Sequence, residues 1–228
     1  MILNCLNLNK LLKYVVARTY KPLLVRYLSK TRVYAYKGIV LSIPRQVFHP
    51  GFFFSTKLLL NYIGHLQLRH KKFLELGAGS GLISIFAAKE DAEVVATDIN
   101  PVAIEFLEMN KRANNVNISI INSDLFDDIP EQPFDIIAIN PPYYKKNPSS
   151  HAEYAWCCGE NGEYFKKLFN DLGKFLHKDS LVLMILCDGC DYEMVQRIAG
   201  SRKFEMNCVF RKKNLLENNF IFKISAIE

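Results

Sequence analysis

"FLELGAGSGLISIFAAK", residues 73–89, joins an apolar run to a helix-forming run through Gly77-Ala78-Gly79-Ser80-Gly81. Three glycines in five residues mark a backbone that bends sharply between a strand and a helix. They also let a ligand approach where a Cβ would stand in the way. From this stretch onward a rhythm repeats. Strand-like segments at 72–76, 93–98, 118–122, 134–140, 181–186, 204–210 and 220–227 alternate with helical stretches at 82–89, 102–113, 162–176 and 192–199. Runs such as "LVLMIL" and "FDIIAI" are apolar on both faces, as parallel strands covered by helices are. Between the last two strands lies only "RKKNLLENN", too short for a packed crossover helix, so that pair should be antiparallel. The pattern predicts an α/β fold of five β-α units and a β-β ending. Its sheet is doubly wound, seven-stranded and mostly parallel, with one reversed partner at the edge.

Upstream, the runs at 33–36 and 39–43 flank Lys37-Gly38 and read as a hairpin. "VFHPGFFFSTKLLLNYIGHL" leads into a helix from about Ser55, an acceptable N-cap, to Ile63. Residues 2–20 read as an amphipathic helix with Lys10, Lys13, Arg18 and Lys21 on one arc, ended by Pro22. The expected organisation is a basic helical extension over 1–32 and a main domain over 33–228 that opens with the hairpin at about 33–43. Residues 1–74 hold thirteen Lys or Arg and no Asp or Glu, whereas the whole chain carries a net charge of only +6. Such asymmetry fits a polyanion, RNA or a ribosome, as partner for the N-terminal segment, and equally a solvated basic face that binds nothing specific.

The composition, 50% hydrophobic and 23% charged, is that of a folded globular chain. No run reaches the roughly 20 apolar residues of a membrane span, and nothing resembles a cleaved secretion signal. A cytoplasmic protein without a membrane partner is expected. Six cysteines are sparse for the length and fit reduced thiols. Cys187-Asp188-Gly189-Cys190 is a lone C-x-x-C without the second pair a zinc site requires, so no metal site is expected.

The glycine turn alone says only that a nucleotide-like ligand is a candidate. A dinucleotide fingerprint needs glycine at 82, where this chain has Leu82. Glu75, just before the turn, would repel a pyrophosphate but suits a cation. Both residues speak against a nicotinamide oxidoreductase. Asp98 ends the second strand, where a carboxylate can accept both hydroxyl protons of a ribose. Its other reading is helix N-capping, since Asn100-Pro101 follows. A ligand with a ribose and a positive charge but no phosphate points to S-adenosylmethionine.

"FLELGAGSGL", "VVATDINPVAIEFLEMNKRANN", "INSDLF" and "FDIIAINPPYY" resemble the consecutive motifs of class I S-adenosylmethionine-dependent methyltransferases. Within that superfamily, Asn140-Pro141-Pro142-Tyr143 is similar to the signature of enzymes that methylate planar nitrogen. These are the release-factor glutamine methyltransferases and the amino-methyltransferases of DNA and RNA bases. The resemblance implies a site in which Glu75 faces the methionine moiety and the backbone of Gly77, Ala78, Gly79 and Gly81 lies under the cofactor. It implies that Asp98 holds the ribose with Ile99 against the adenine, and that Asp124 and Leu125 read the adenine edge. Asp124 also reads as a plain turn residue.

For Asn140 the chemistry is more specific. An amide or exocyclic amine nitrogen is a poor nucleophile because its lone pair is delocalised. Two acceptors aimed at its N–H groups can hold it toward the methyl donor and stabilise developing charge. The family's arrangement supplies them from the Asn140 side-chain oxygen and the Pro141 carbonyl, with Tyr143 against the flat face of the acceptor. Asn140, Pro141 and Tyr143 are therefore the expected catalytic residues. The acceptor stays open between a release-factor-like protein and RNA. The roughly 30 residues before the hairpin are too few for the helical bundle with which release-factor enzymes grip their substrate. Lys145 and Lys146 add positive charge at the mouth. A catalytically inactive RNA-binding or scaffold protein that keeps the fold is the alternative.

Overall fold

The computed structural model describes residues 30–52, 54–150, 153–214 and 217–227. The extension expected over 1–32, and its contact with a polyanion, lie outside the described residues except for its last three positions.

The described residues open with the hairpin β1 (Arg32–Tyr36) and β2 (Ile39–Ile43), a separate antiparallel pair, followed by helix α1 (Phe54–Ile63). Then come β3 (Lys72–Leu76), α2 (Leu82–Lys89), β4 (Glu93–Asp98), α3 (Pro101–Ala113), β5 (Ser119–Asn122) and β6 (Ile136–Ile139). The remainder is α4 (Glu163–Asp171), β7 (Leu181–Cys187), α5 (Tyr192–Ser201), β8 (Phe204–Lys213) and β9 (Asn218–Ala226). The seven-stranded sheet has the order β5-β4-β3-β6-β7-β9-β8, parallel from β5 to β7, with β9 antiparallel to both neighbours.

Successive β3 residues Phe73 and Leu74 point to opposite faces and both are fully buried. On the Phe73 face lie α1, α2 and α3 with Leu59, Ile83 and Leu107; on the Leu74 face lie α4 and α5 with Phe165 and Val195. This is the double cover that apolar parallel strands require.

Three details differ from the expectation. The reversed strand β9 is not at the edge but between β7 and β8. Its Ile221 and Ile224 are buried while most of β8 is exposed, so the apolar strand takes the covered position and the polar one the rim. The β5–β6 connection has turns in place of a helix, as its prolines Pro130 and Pro133 favour. The helix expected over 162–176 ends as α4 at Asp171 and continues as a 3-10 turn over Leu172–Phe175.

Helix α3 fastens the hairpin to the sheet. Asn114 accepts from Val40 N at 3.0 Å and donates to Val40 O at 2.7 Å, while Asn110 accepts from Ser42 N at 2.7 Å and donates to Ser42 O at 3.0 Å. Four residues apart on one helix face, the two amides mimic a neighbouring strand. Asn110 also donates to Ser80 O at 2.9 Å, tying hairpin, helix and glycine turn at one buried point. Strand order reverses between β3 and β6, and in open α/β sheets ligands bind outside the strand ends at that reversal.

Candidate active site

A cavity of about 350 Å³ opens above the carboxyl ends of β3, β4, β5 and β6. It is lined by Glu75, Gly77, Ala78, Gly79, Asp98, Ile99, Asp124, Leu125, Asn140, Pro141 and Tyr143, so the expected cofactor and catalytic residues meet in one place. Gly81 is the exception. Its φ of +85° suits glycine, and an added Cβ would come within 2.1 Å of Leu107 Cδ1. It lets α3 pack against the turn and does not line the cavity. Gly77, at φ +69°, is the opposite case: a Cβ there meets nothing within 4 Å. The turn thus presents open backbone to the cavity.

Glu75 lies at the cavity floor with only 5% of its surface exposed. Its Oε2 accepts from the Ser84 amide at 2.8 Å and from the Ser84 hydroxyl. Burial nevertheless pushes its pKa up to about 8, and Asp98 nearby adds to the rise. Without a cation the carboxyl is largely protonated at neutral pH; a positive charge beside it would favour the ionised form. Asp98 spends one oxygen on the Gly79 amide at 2.8 Å and the other on the Asn100 amide at 2.8 Å. Burial raises its pKa against those bonds. Capping of α3 falls to Asn100, whose side chain accepts from Val102 N at 3.0 Å with Pro101 in the first turn. The Ile99 amide also faces this carboxylate, whose roughly four lone-pair sites are not all taken.

Past β5, Leu125 turns at φ +58° and faces the cavity. Asp124 sits half-exposed at the rim, 2.5 Å from Lys167 Nζ, which also reaches Asp127 at 2.7 Å. Tyr164, one helical turn before Lys167, lines the same wall. Its pKa is raised by burial first and by Asp124 and Asp98 second.

At the opposite wall β6 runs into the two buried prolines Pro141 and Pro142. Asn140 Nδ2 donates to Ser55 Oγ at 3.3 Å and Thr56 Oγ1 at 3.1 Å, both on the first turn of α1. Its Oδ1 and the Pro141 carbonyl have no partner among the described residues. After Tyr143 the chain loops out and returns. Tyr143 N and Tyr144 N donate to Trp156 O at 3.1 and 2.8 Å, and Cys158 N donates to Tyr144 O at 2.9 Å. The loop brings Pro148, Tyr154, Cys157 and Gly159 to the cavity mouth, where Tyr144 stacks on Trp156 with ring centroids 6.4 Å apart. Burial, and next Cys187, hold the Tyr143 phenol well above its ordinary pKa.

Several lining residues escaped the sequence reading. Gln46, Val47, Phe48 and Pro50 close the cavity from the hairpin side, with Gln46 O accepting from Asn100 Nδ2 at 3.1 Å. Ser55, expected as the N-cap, lies inside α1 and accepts from Asn140, 85 positions away. Lys167 had no signal beyond its place one turn after Glu163 and Tyr164. Lys145 and Lys146, read as positive charge at the mouth, are each paired: Lys145 with Asp191 at 3.0 Å and Lys146 with Glu153 at 2.8 Å. Among the described residues no group of three or more His, Cys, Asp or Glu side chains could hold a metal ion, and Cys157, Cys158, Cys187, Cys190 and Cys208 are free thiols. Among them also no helix is long and apolar enough to cross a membrane.

A glycine turn with open backbone, a buried carboxyl that favours a cation and a carboxylate at the next strand end are the outline of a class I, Rossmann-like methyltransferase. The family model described as methyltransferase small domain matches residues 47–157. A curated relative from Methanocaldococcus jannaschii, which carries the name protein N5-glutamine methyltransferase, is 36% identical over 155 residues, 65% of this chain and 76% of the relative. The release factor glutamine methyltransferase of Chlamydia trachomatis is 27% identical over 152 residues, 62% of this chain and 51% of its own length. Among solved structures, the 16S rRNA N2 G1207 methyltransferase of T. thermophilus, in complex with AdoMet and guanosine, superposes with a TM-score of 0.62. It is 19% identical, with 87% of this chain and 50% of that one covered, a likeness of fold. The chain belongs to the methyltransferase family of the Methanocaldococcus jannaschii relative and is an enzyme, a methyltransferase.

Proposed function

We propose that this enzyme transfers a methyl group to a planar nitrogen, the side-chain amide of a glutamine in a protein. The observation that carries the reading is a pair of acceptors without a partner among the described residues, Asn140 Oδ1 and the Pro141 carbonyl, in the same cavity as Glu75 and Asp98. S-adenosylmethionine, when bound, supplies an electrophilic methyl group on a sulfonium. The residues fit it: open backbone at Gly77 leaves room, Asp98 retains lone pairs for a ribose, and Glu75 gains an ionised form beside a cation. Ile99, Asp124 and Leu125 would border the adenine.

Asn140 Oδ1 and Pro141 O each accept one N–H of the acceptor amide. They turn its nitrogen toward the methyl and stabilise the positive charge that grows there. Pro141 and Pro142 hold that carbonyl in place, and Tyr143 supplies an apolar plate that keeps water out. When bound, the sulfonium would supply the methyl carbon and keep the carbon–sulfur electron pair as a thioether, while the amide gives up one N–H proton to water. No strong base is needed, because an amide nitrogen that carries the extra methyl and both protons is cationic and strongly acidic.

Two observations favour protein over RNA. Lys145 and Lys146 are each paired, with Asp191 and Glu153, so neither offers an unpaired charge to a phosphate. The Methanocaldococcus jannaschii relative carries a glutamine in its name. The test is transfer of tritiated methyl groups from S-adenosylmethionine into a fractionated lysate. Protease should release the label and RNase should leave it. Release by RNase would move the acceptor to a nucleobase, and cofactor binding with no label in any fraction would make the chain an inactive scaffold.

A further inference from the structure

We infer that Ser55 and Thr56 are positioning residues for methyl transfer: their hydroxyls fix the Asn140 amide in the one orientation that turns its oxygen to the acceptor. The inference rests on the acceptor role given to Asn140. A terminal amide torsion has two nearly equivalent settings, and only one presents Oδ1 to a substrate N–H. The other presents an NH2, which meets the acceptor nitrogen donor against donor and cannot hold it. Nothing in Asn-Pro-Pro-Tyr itself selects between them, since the prolines fix the backbone and leave the side chain free.

The structure shows the setting with Nδ2 turned to α1. Asn140 Nδ2 carries two N–H donors, and two buried hydroxyl oxygens stand at 3.3 and 3.1 Å from it, one for each. Both donors are consumed on the wall side, so the oxygen is what remains for the cavity. Ser55 and Thr56 are adjacent in the first turn of a helix, which holds their spacing rigid. That helix is packed by Leu58, Leu59, Leu60 and Ile63, all buried, so the hydroxyl pair does not drift. Thr56 itself reaches the cavity lining. The specificity that follows is for acceptors bearing N–H groups, over acceptors that present only a lone pair.

The experiment combines a spectroscopic and a kinetic readout on the full chain. Side-chain amide resonances of Asn140, identified by their loss in Asn140→Ala, should be two sharp, distinct lines in the unaltered protein. In Ser55→Ala/Thr56→Val, which removes both hydroxyls and keeps Thr56's shape, they should shift and broaden. Transfer of tritiated methyl from S-adenosylmethionine to acid-precipitable lysate material should fall about 10- to 100-fold in turnover, as loss of a preorganised acceptor does. The dissociation constant for S-adenosylmethionine should stay within about twofold. Thr56→Ser, which returns a hydroxyl, should keep most of the turnover, and Thr56→Val alone should give an intermediate loss if the double variant folds poorly. In an Asn140→Ala background the hydroxyl substitutions should cost nothing further. Unchanged resonances and unchanged turnover in the double variant, with Asn140→Ala inactive, overturn the inference alone. Full transfer by Asn140→Ala overturns the acceptor reading beneath it.

Discussion

On the β3–β4 side of the cavity the groups arrive in chain order from two neighbouring strand ends, Glu75 to Gly79 and then Asp98 and Ile99. They hold each other directly, Asp98 bonding the Gly79 amide. On the β6 side they come from segments far apart. Asn140 leans on Ser55 and Thr56, 85 and 84 positions earlier, and the Tyr143 backbone leans on Trp156. The first wall is local and self-supporting; the second is assembled only when α1 and the loop after Tyr144 pack against the sheet. Cofactor affinity and turnover should therefore be separable by substitution.

The largest effect is expected at the assembled wall. Asn140→Ala should lower methyl transfer about 10²- to 10³-fold, the cost of one preorganised transition-state contact, with cofactor affinity within twofold. Equal losses in both quantities would erase the distinction between the walls. At the local wall Asp98→Ala should do the reverse and weaken S-adenosylmethionine about tenfold or more, since hydrogen bonds to a charged group contribute about 1.5–3 kcal/mol each. Calorimetry that finds the affinity unchanged would remove Asp98 from the ribose site. Asn110→Ala should cost about 1–3 kcal/mol of stability in urea unfolding, because the Ser42 amide is left without a partner. An unshifted midpoint would show that the hairpin holds without it.

A smaller effect follows from Glu75. With a folded pKa of about 8 against 4.5 unfolded, the empty folded protein keeps a proton that the unfolded chain has released. Stability should then fall as pH rises between 4.5 and about 8, by at most about 1.4 kcal/mol per pH unit, and level off above that. Affinity for S-adenosylmethionine should rise over the same window, since the cation favours the ionised carboxyl. Glu75→Gln should flatten both slopes; slopes that persist would belong to another group. The smallest effect is expected from Lys145→Ala/Lys146→Ala. Both side chains are tied up in exposed ion pairs, so transfer should change less than about threefold and show little salt dependence. A steep salt dependence would bring a polyanionic acceptor back.

The same contrast decides what could be read from the chain. Glu75, the glycine turn and Asp98 are legible because strand ends and turns leave local signatures, and a parallel sheet brings consecutive strand ends side by side. Asn140 was legible as a residue, because two prolines behind a strand are costly without a purpose. What orients it was not, since Ser55 and Thr56 look like any helix start and only tertiary packing carries them to β6. The pairing of Lys145 with Asp191 was hidden for the same reason. Gly81 shows the converse: it belongs to the motif by spacing, yet its glycine answers to Leu107 in α3 and not to a ligand. Placement of β9 inside the sheet could have been weighed from "FIFKI" against "FEMNCVF", the more apolar strand being suited to two neighbours.

The side-chain amides of Asn110 and Asn114 along β2 have one more consequence. A two-stranded sheet is marginal by itself, and each of its rims is an open template for another chain. On the β2 rim the outward N–H and C=O groups of Val40 and Ser42 are already satisfied by α3. Self-association by strand addition is therefore blocked on that side of the hairpin, by two asparagines whose spacing of one helical turn matches the two-residue step of the strand beside them.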